Sequence, residues 1–279
     1  MINRSAKRTT GRILSKRKMG AYFHLVLQGD GIGKGARPGN FVAVSVGGEH
    51  SSMVLHRVFA IYRVRSDASA IEIIVANSGK GTQWLIEQTE GSEIVVTGPL
   101  GSAFPLPAEP LNVAIIGGGY GAAPLFELAE QLKNRGCRVD AIIGASTGLK
   151  VFAPLEGKRT VNSLLVTTDD GSAGKPGRVT DFLPELIERE RIDLIYSCGP
   201  MAMLSAVDAI ARSFDISHQV SVEEAMACGI GICMTCVLPM YETSAQDGEV
   251  AHMKRTCIEG PVIDSERIAW SRFKAVGSE

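Results

Sequence analysis

The spacing of apolar residues along this chain changes its period near residue 110. Before that point, short runs of β-branched and aromatic residues are separated by turns rich in glycine, proline and asparagine, a pattern typical of antiparallel strands. The runs cover residues 22–27, 41–46, 58–64, 71–76 and 93–97. Their number and spacing predict a small antiparallel β-barrel.

After residue 110 the pattern alternates between buried strands and helices. Strand-like runs cover residues 112–116, 139–143, 164–167 and 194–197, and helical patterns cover residues 124–135, 179–189 and 201–213. Strands that alternate with helices in this way pair in parallel, because each helix carries the chain back across the sheet. We therefore predict an α/β domain with a parallel sheet of about five strands.

Two boundaries divide the chain into three units. The proline-rich stretch at residues 104–110 is typical of a linker between domains. From residue 219 onward the chain carries four of its six cysteines, and this segment has too small a core to fold without a bound group. We predict a barrel domain at residues 1–108, an α/β domain at residues 109–218 and a cysteine-bearing module at residues 219–279.

The composition narrows the classes of partner. The chain has 279 residues, of which 45% are hydrophobic and 21% charged, and its formal net charge is −1. This balance predicts a globular multidomain protein, and it gives no overall electric field that would favour nucleic acid or acidic membranes. The sequence shows no signal-peptide core and no apolar run of membrane length, so we expect a cytoplasmic protein that is neither exported nor inserted.

The first 18 residues are a local exception to the neutral balance. They contain seven Lys or Arg residues and no acidic residue. A basic arm for a partner and a frayed terminus that leads into the first strand both fit this segment, and we expect the frayed terminus.

Four cysteines near the end of the chain have the order C-x4-C-x2-C followed by a distant fourth: Cys228, Cys233, Cys236 and Cys257. Plant-type ferredoxins hold a [2Fe–2S] cluster with this spacing. Two glycines between the first two cysteines allow the backbone to fold tightly, so that amide N–H groups can point at the sulfurs. The spacing therefore predicts an electron-transfer protein.

A structural zinc site and a disulfide framework are the alternatives for these cysteines. Zinc sites usually contain two paired C-x2-C units, whereas this segment has one such pair, with Cys228 offset by four residues. Disulfides are typical of small secreted domains, and the other two cysteines, Cys137 and Cys198, are isolated in apolar contexts. We expect reduced thiols that hold an iron–sulfur cluster.

Two glycine turns follow predicted strands of the α/β unit, and they contain Gly117, Gly118, Gly119 and Gly121 in the first and Gly199 and Pro200 in the second. Unpaired N–H groups at a strand-to-helix turn attract a pyrophosphate. No acidic residue follows the first turn at the distance typical of ribose binding, so that turn by itself also fits a tight connection without a ligand. Two such turns at one sheet edge predict a dinucleotide site.

The order of these motifs resembles the ferredoxin-reductase superfamily. The barrel is followed by Gly-Pro-Leu-Gly, Gly-Gly-Gly-x-Gly-x-Ala-Pro, Asp-Gly-Ser and Cys-Gly-Pro, and residues 224–236 read Glu-x-Met-x-Cys-Gly-x-Gly-x-Cys-x-x-Cys. More narrowly, residues 22–270 are similar to the electron-transfer subunits of heteromeric NAD-linked dihydroorotate dehydrogenases. The resemblance implies an FAD-binding β-barrel, an NAD-binding α/β domain with a parallel sheet and a small [2Fe–2S] module.

The resemblance also implies contacts with FAD. The family's Arg-Pro-x-Ser strand corresponds to Arg57, Val58, Phe59 and Ala60, and Arg57 would pair with the flavin pyrophosphate. Ala60 lacks the hydroxyl of the family's serine, and Phe59 would either stack on the flavin or fill the barrel core. Further FAD contacts are implied for Ile74, Val75, Ala76, Gly81 and Thr82.

Cys198, in the Cys-Gly-Pro turn, would lie near the nicotinamide where hydride passes to or from the flavin. We expect it to position the reacting groups at the catalytic site, and the alternative is a small buried hydrophobe. The resemblance further implies a partner, the flavin-containing catalytic subunit of a dihydroorotate dehydrogenase, in a heterotetramer. Electrons from dihydroorotate would pass through the [2Fe–2S] cluster and FAD to NAD⁺.

Other functions with the same architecture remain open. The chain could be a flavin/iron–sulfur subunit of a hydrogenase, of a sulfide dehydrogenase or of a ferredoxin:NADP oxidoreductase. Because Val58 and Ala60 depart from the family's strand, a redox sensor that binds FAD weakly is a further alternative. The sequence also leaves the choice between NAD and NADP open.

Overall fold

The computed structural model describes residues 6–48, 51–243 and 250–272. Parts of the predicted first and third units, namely residues 1–5, 49–50, 244–249 and 273–279, lie outside the described residues. Among the helices of the described ranges, none combines the length and the apolar character needed to cross a bilayer.

The first hundred residues form a closed six-stranded barrel, which confirms the prediction. Its strands are β1 (Lys7–Met19), β2 (Tyr22–Gln28), β3 (Phe41–Val44), β4 (Arg57–Val64), β5 (Ala70–Ala76) and β6 (Glu93–Leu100). They pair antiparallel in the closed order β1-β2-β5-β4-β3-β6. Side chains such as Leu25, Ile73 and Val96 point inward and are almost completely buried.

The expectation of a frayed basic terminus is wrong for β1. This strand pairs with β2 through Met19↔Tyr22 and with β6 through Lys7↔Gly98, so it closes the barrel. Between Thr10 and Ile13 the exposure alternates, with Ile13 fully buried and the basic Arg12 in solvent. Charged residues on the solvent face of a strand hide its period, because only the inward positions need to be apolar.

A short helix, α1 (Lys80–Glu87), follows β5 and begins at the Gly-Lys-Gly-Thr segment. The sequence pattern did not predict this helix. Its Leu85 is fully buried against the barrel core. The first intrahelical hydrogen bond runs from the Gln83 amide to the Gly79 carbonyl at 2.8 Å, so the amides of residues 80–82 precede the hydrogen-bonded turn and point out of the helix.

The remaining elements include every strand and helix predicted after residue 110 and seven further elements that the sequence pattern did not predict, and the large sheet has seven strands instead of the five or so expected. They are β7 (Asn112–Gly118), α2 (Ala123–Asn134), β8 (Arg138–Ala145), α3 (Pro154–Thr160), β9 (Ser163–Thr168), β10 (Lys175–Pro176), α4 (Val179–Glu190), β11 (Leu194–Cys198), α5 (Met201–Ser213), β12 (Ser217–Ser221), β13 (Val237–Met240), β14 (His252–Arg255), α6 (Thr256–Glu259) and β15 (Val262–Asp264). The large sheet has the order β10-β9-β8-β7-β11-β12-β15. All its pairs are parallel except β12 with β15.

The cysteine-bearing segment is attached to both other units. The boundary expected between residues 218 and 219 falls inside β12, and β15 returns to the edge of the large sheet, whereas β13 and β14 form a separate two-stranded sheet. Phe41 and Leu100 of the barrel pack against Cys236 and Cys257. The segment therefore lies directly on the barrel wall.

Ion pairs and aromatic contacts connect the barrel to the α/β unit. The guanidinium of Arg63 on β4 donates to both carboxylate oxygens of Glu130 on α2, at 2.8 and 3.0 Å, and to Glu156 on α3 at 2.7 Å. The residues expected to form a linker also pack, since Phe104 is buried with its ring 5.5 Å from that of Tyr196. These contacts fix the orientation of the two units around the cleft between them.

Candidate functional site

Two cavities lie side by side between the barrel and the large sheet. The barrel cavity, of about 570 Å³, is lined by β4, by α1 and by residues 221–226. The sheet cavity, of about 500 Å³, lies at the carboxyl edge of the sheet and is lined by Gly118, Gly119, Asp169 and Pro200 among others. A separate hollow of about 730 Å³ on the surface contains charged side chains and none of the predicted site residues.

The barrel cavity brings together most of the residues predicted to contact a flavin. From β4 it is lined by Arg57, Val58, Phe59 and Ala60, and from β5 and α1 by Ile74, Ala76 and Thr82. Val75 differs, because its side chain is fully buried in the barrel core on the other face of β5. The alternation of side chains along a strand explains this difference from its two neighbours.

Arg57 and Gly81 form one packing unit at the rim of the barrel cavity. The Arg57 guanidinium donates to the Leu55 carbonyl at 2.9 Å and to the His56 carbonyl at 3.3 Å. A Cβ atom at residue 81 would lie 2.4 Å from Nε of Arg57, so a glycine is required for this close approach. The arrangement places a permanent positive charge beside the N-terminal amides of α1, which is a suitable site for a phosphate group.

The Thr82 hydroxyl forms hydrogen bonds with the backbone at the N-terminus of α1. It accepts from the Ser78 and Gly79 amides at 3.0 and 3.1 Å and donates to the Gly79 carbonyl at 2.9 Å. Its hydrogen is therefore already paired within the chain. The outward-pointing backbone amide of Thr82 is the group left for a phosphate.

The two glycine turns of the sheet touch each other. A Cβ atom at Gly121 would lie 2.7 Å from the Cys198 carbonyl oxygen and 2.8 Å from Cα of Gly199, and one at Gly118 would lie 2.8 Å from Pro200. Gly117 is buried and packs on Ala122 instead of lining the cavity. Because backbone lies against backbone here, the turns form one smooth floor that a dinucleotide could approach closely.

Cys198 is half-buried and lines the barrel cavity. Burial raises the pKa of its thiol to about 12, and a hydrogen bond with Ser221 opposes this shift only partly. The group is therefore a neutral thiol at ordinary pH and is not an activated nucleophile. Its place at the end of β11 suits a positioning role.

Two residues that sequence reasoning did not select, Tyr120 and Glu223, line both cavities. The Tyr120 hydroxyl donates to the Glu223 carboxylate. Burial, followed by the nearby Glu223 charge, raises the pKa of Tyr120. Tyr120 occupies the variable position of the glycine loop, and Glu223 comes five residues before the first cysteine of the motif, but neither residue type is diagnostic there.

The four cysteines of the motif lie in two hydrogen-bonded pairs, Cys228 with Cys233 and Cys236 with Cys257. Cys236 and Cys257 are buried against the barrel, whereas Cys233 is exposed. Hydrogen bonds from Thr235 lower the pKa of Cys233 to about 6, which favours the thiolate that a metal requires. Burial raises the pKa of Cys257 to about 12, so bound iron would have to stabilise that thiolate.

Backbone amides of the cysteine loop point at its sulfurs. The amides of Ile230 and Ile232 donate to Cys228 Sγ at 3.5 and 3.3 Å, and the Gly231 amide donates to the Cys257 sulfur. Gly231 has φ of 82°, which a glycine adopts without strain. In the described ranges no three His, Cys, Asp or Glu side chains have the geometry of ligands to a single metal ion. The fit to a cluster rests on the thiol pairs and on these amides.

Comparisons with known proteins agree with this arrangement. The family model for the iron–sulfur cluster binding domain of dihydroorotate dehydrogenase B matches residues 223–269. The dihydroorotate dehydrogenase B (NAD(+)), electron transfer subunit of Desulforamulus reducens is 31% identical over 248 residues, which cover 89% of this chain and 92% of the relative. The protein of the same name from Geobacillus thermodenitrificans is 37% identical over 244 residues, which cover 86% and 90%.

Solved structures give the same fold. A NADH-dependent reduced ferredoxin-NADP oxidoreductase matches with a TM-score of 0.81 and 30% identity, over 94% of this chain and 90% of the other. The FAD/NAD binding domain of a nitric oxide dioxygenase from Vibrio cholerae matches with a TM-score of 0.64, over 76% and 98%, and its 20% identity shows the fold alone. The fold and site thus define an oxidoreductase of the ferredoxin-reductase type with an iron–sulfur module. Within that class, the chain belongs to the family of electron transfer subunits of dihydroorotate dehydrogenase B.

Proposed function

We propose that this chain passes electrons from a dihydroorotate-oxidising flavoprotein partner through a [2Fe–2S] cluster and FAD to NAD⁺, in pyrimidine biosynthesis. The cofactors of this reductase fold are FAD, NAD and the [2Fe–2S] cluster. FAD supplies the conversion between single electrons and a hydride pair. The residues of this chain bind these groups and place them in sequence.

The proposal rests on the spatial order of the cysteine loop, the barrel cavity and the sheet cavity. Residues 221–226 line the barrel cavity and lead directly into Cys228, so one wall of that cavity continues into the cysteine loop. Its other wall contains Gly121 and Gly199, which belong to the turns of the sheet cavity. A flavin in the barrel cavity would therefore lie between the cluster and the nicotinamide, which is the order that the relay needs.

Within the barrel cavity, Arg57 and the N-terminal amides of α1 would hold the FAD pyrophosphate. A guanidinium suits this task because it is always charged and presents several donors in one plane. Phe59, Ile74 and Ala76 would pack against the flavin ring. Val58 also contacts the residues around Cys236 and Cys257, so the family's altered strand lies between flavin and cluster.

Gly118, Gly119 and Pro200 of the sheet cavity, together with Gly199 on the adjoining wall of the barrel cavity, would form the floor for the NAD pyrophosphate and nicotinamide ribose. Cys198 would present a neutral thiol beside the reacting rings and exclude water from them. The described residues of this cleft offer no evident pocket for a dihydropyrimidine apart from these two cavities. The oxidation of dihydroorotate is therefore assigned to the partner.

Membership of this family implies a catalytic subunit as partner. We infer that the partner docks at the cysteine loop, because Ile232 and Met234 on that loop are 75% and 51% exposed and a second flavin must come close to the cluster. A heterotetramer of two copies of each subunit is the assembly that we propose. None of the six cysteines forms a disulfide in the described residues, which agrees with the cytoplasmic setting that we propose.

A second candidate is a subunit of a ferredoxin:NADP oxidoreductase. The similarity to the NADH-dependent reduced ferredoxin-NADP oxidoreductase favours it, since 30% identity extends over 94% of this chain. The two candidates share the relay and differ in the electron donor. The two candidates are distinguished by adding each candidate's partner and recording which electron donor, dihydroorotate or ferredoxin, then reduces FAD.

The test uses the purified chain alone under anaerobic conditions. NADH should bleach the flavin absorption and support reduction of an artificial dye, whereas dihydroorotate should do neither. A dye reaction driven by dihydroorotate without a partner would contradict the division of labour. An absence of both flavin binding and NADH oxidation would refute the proposed relay.

A further inference from the structure

One hydrogen-bonded pair lies where the barrel cavity and the sheet cavity adjoin. Of the described side chains, only Tyr120 and Glu223 line both the barrel cavity and the sheet cavity. They come from different parts of the fold: Tyr120 from the glycine loop after β7, and Glu223 from the segment between β12 and Cys228. Their hydroxyl–carboxylate contact therefore bridges the two walls at the point where the cavities meet.

The barrel holds Tyr120 in this position. Tyr22 on β2 donates its hydroxyl to the Lys150 carbonyl at 2.8 Å and accepts from the Tyr120 amide. The rings of Tyr22 and Tyr120 pack edge to face, with their centroids 5.8 Å apart. The residue is 39% exposed to solvent and lines both cavities. The backbone of Tyr120 is thus anchored, whereas a rotation of its side chain would be enough to break the contact with Glu223.

Hydride transfer requires an open passage between the sheet cavity and the barrel cavity. The nicotinamide carbon and the flavin nitrogen must approach to about 3–3.5 Å, so the two rings must share one continuous space. We infer that the Tyr120–Glu223 contact closes the passage in the free protein, and that the nicotinamide ring opens it on its way to the flavin. This inference rests on the proposed function, because it assumes that both cavities hold the cofactors assigned to them.

The closed contact should lower the apparent affinity of the protein for NAD⁺. If the binding-competent state is the open one, the apparent affinity for NAD⁺ is reduced by the fraction of molecules that are open. Removing the hydroxyl removes the charge-assisted bond that favours the closed state. Tyr120→Phe should therefore bind NAD⁺ roughly threefold to tenfold more tightly than the unaltered protein. ADP-ribose, which lacks the nicotinamide ring, should bind equally well to both.

The experiment compares the two ligands by calorimetry on the oxidised, FAD-loaded chain. Tyr62→Phe is the matched control, because the Tyr62 hydroxyl also contacts a carboxylate, that of Glu156, at 2.5 Å, but lies outside both cavities. The same proteins are then mixed rapidly with NADH and with NADH deuterated at the transferred position. If opening slows flavin reduction, the deuterium isotope effect should rise in Tyr120→Phe and stay unchanged in Tyr62→Phe.

Tighter NAD⁺ binding with unchanged ADP-ribose binding, together with a larger isotope effect, would support the closed passage. Equal NAD⁺ affinity in Tyr120→Phe and the unaltered protein, or parallel changes for both ligands, would overturn it. Tyr120→Leu, which also lacks the hydroxyl, replaces the Phe variant if that variant does not fold. If the unaltered protein binds neither ligand, the proposed function fails, and that outcome is distinct from failure of the closed passage alone.

Discussion

In the flavin site that we propose, the Arg57 guanidinium depends on a glycine next to it. The Arg57 guanidinium packs against Gly81, in the first turn of α1, so closely that a Cβ atom there would lie 2.4 Å from its Nε. Neither residue would form the phosphate site alone, because the charge needs the glycine to reach the helix end. Two positions 24 residues apart thus act as one unit.

Replacing Arg57 by Ala should weaken FAD retention by roughly 2–4 kcal/mol, the scale of losing a charge-assisted partner, or about 30-fold to 1000-fold in affinity. Gly81→Ala should also weaken it, because the new Cβ displaces the guanidinium. Gly79→Ala is the matched control, since a Cβ there meets nothing within 4 Å. Flavin release on dilution, followed by fluorescence, gives the result, and equal retention in all three variants would refute the assigned phosphate site.

The four cysteines of the motif can be tested one at a time. Replacing Cys228, Cys233, Cys236 or Cys257 by Ser should abolish or destabilise the cluster while FAD remains bound. Cys137→Ser should leave the cluster intact, because Cys137 is buried in the core of the α/β unit. Iron and acid-labile sulfide analysis checks this, with about two of each expected per chain. One zinc and no iron would show the zinc alternative to be correct.

Among the elements, α2 carries a half-buried carboxyl group, that of Glu127, with a pH-dependent effect on stability. Burial raises the pKa of Glu127 to about 7, repulsion from Glu130 adds to the shift, and Arg63 opposes it. The folded state therefore holds a proton that the unfolded chain releases at lower pH. Stability due to this group is greatest below its ordinary pKa and falls as pH rises towards 7.

Glu127→Gln should remove this dependence. The variant should gain thermal stability over the unaltered protein at pH 8 by about 2–4 °C more than at pH 5, as measured by calorimetric melting. Glu188→Gln, at an exposed position on α4, is the control and should show no such difference. A gain that is equal at both pH values would contradict the raised pKa.

Sequence patterns predicted those elements whose period is visible. The apolar runs of β2 to β6 and β7, β8, β9 and β11 mark their strands, and α2, α4 and α5 have clear helical spacing. The strand β1 could not be found because its charged outer face dominates its composition. The strand β15 has three residues, and only its pairing with β12 makes it part of the sheet.

For the site as well, the sequence reveals only those residues that belong to a local pattern. Cysteine spacing and glycine turns are local signals, so the motif residues could be selected from the sequence. Tyr120 and Glu223 are 103 positions apart, and only the folded structure brings them into one hydrogen bond between the two cavities. Val75 illustrates the opposite error, because a contiguous sequence motif includes a side chain that points away from the cavity.

For the whole molecule, the exposed apolar side chains of the cysteine loop lead to a prediction about assembly. Ile232→Glu should abolish electron transfer from dihydroorotate to NAD⁺ in the complex with the partner, because a charge at the docking surface opposes its burial. Electron transfer from NADH to a dye should be retained, since it needs only FAD and NAD. Leu155→Glu, at a residue that is 73% exposed on α3, is the control.

Loss of both activities in Ile232→Glu would indicate a collapsed cysteine module. Retention of both would place the partner elsewhere on the molecule. Gel filtration of the mixed subunits separates these outcomes from a simple loss of activity, because the altered chain should elute alone if docking fails.

The proposed relay carries electrons from dihydroorotate on the partner to NAD⁺ on this chain. It is tested most directly by measuring NADH formation from dihydroorotate and NAD⁺ when this chain is mixed with its flavin-containing catalytic partner. We expect NADH formation by the mixture and none by either subunit alone, because in the proposed relay dihydroorotate oxidation and NAD⁺ reduction reside on different chains. NADH formation by the catalytic partner alone would contradict it. So would an inactive mixture in which both subunits carry their full complement of flavin and iron.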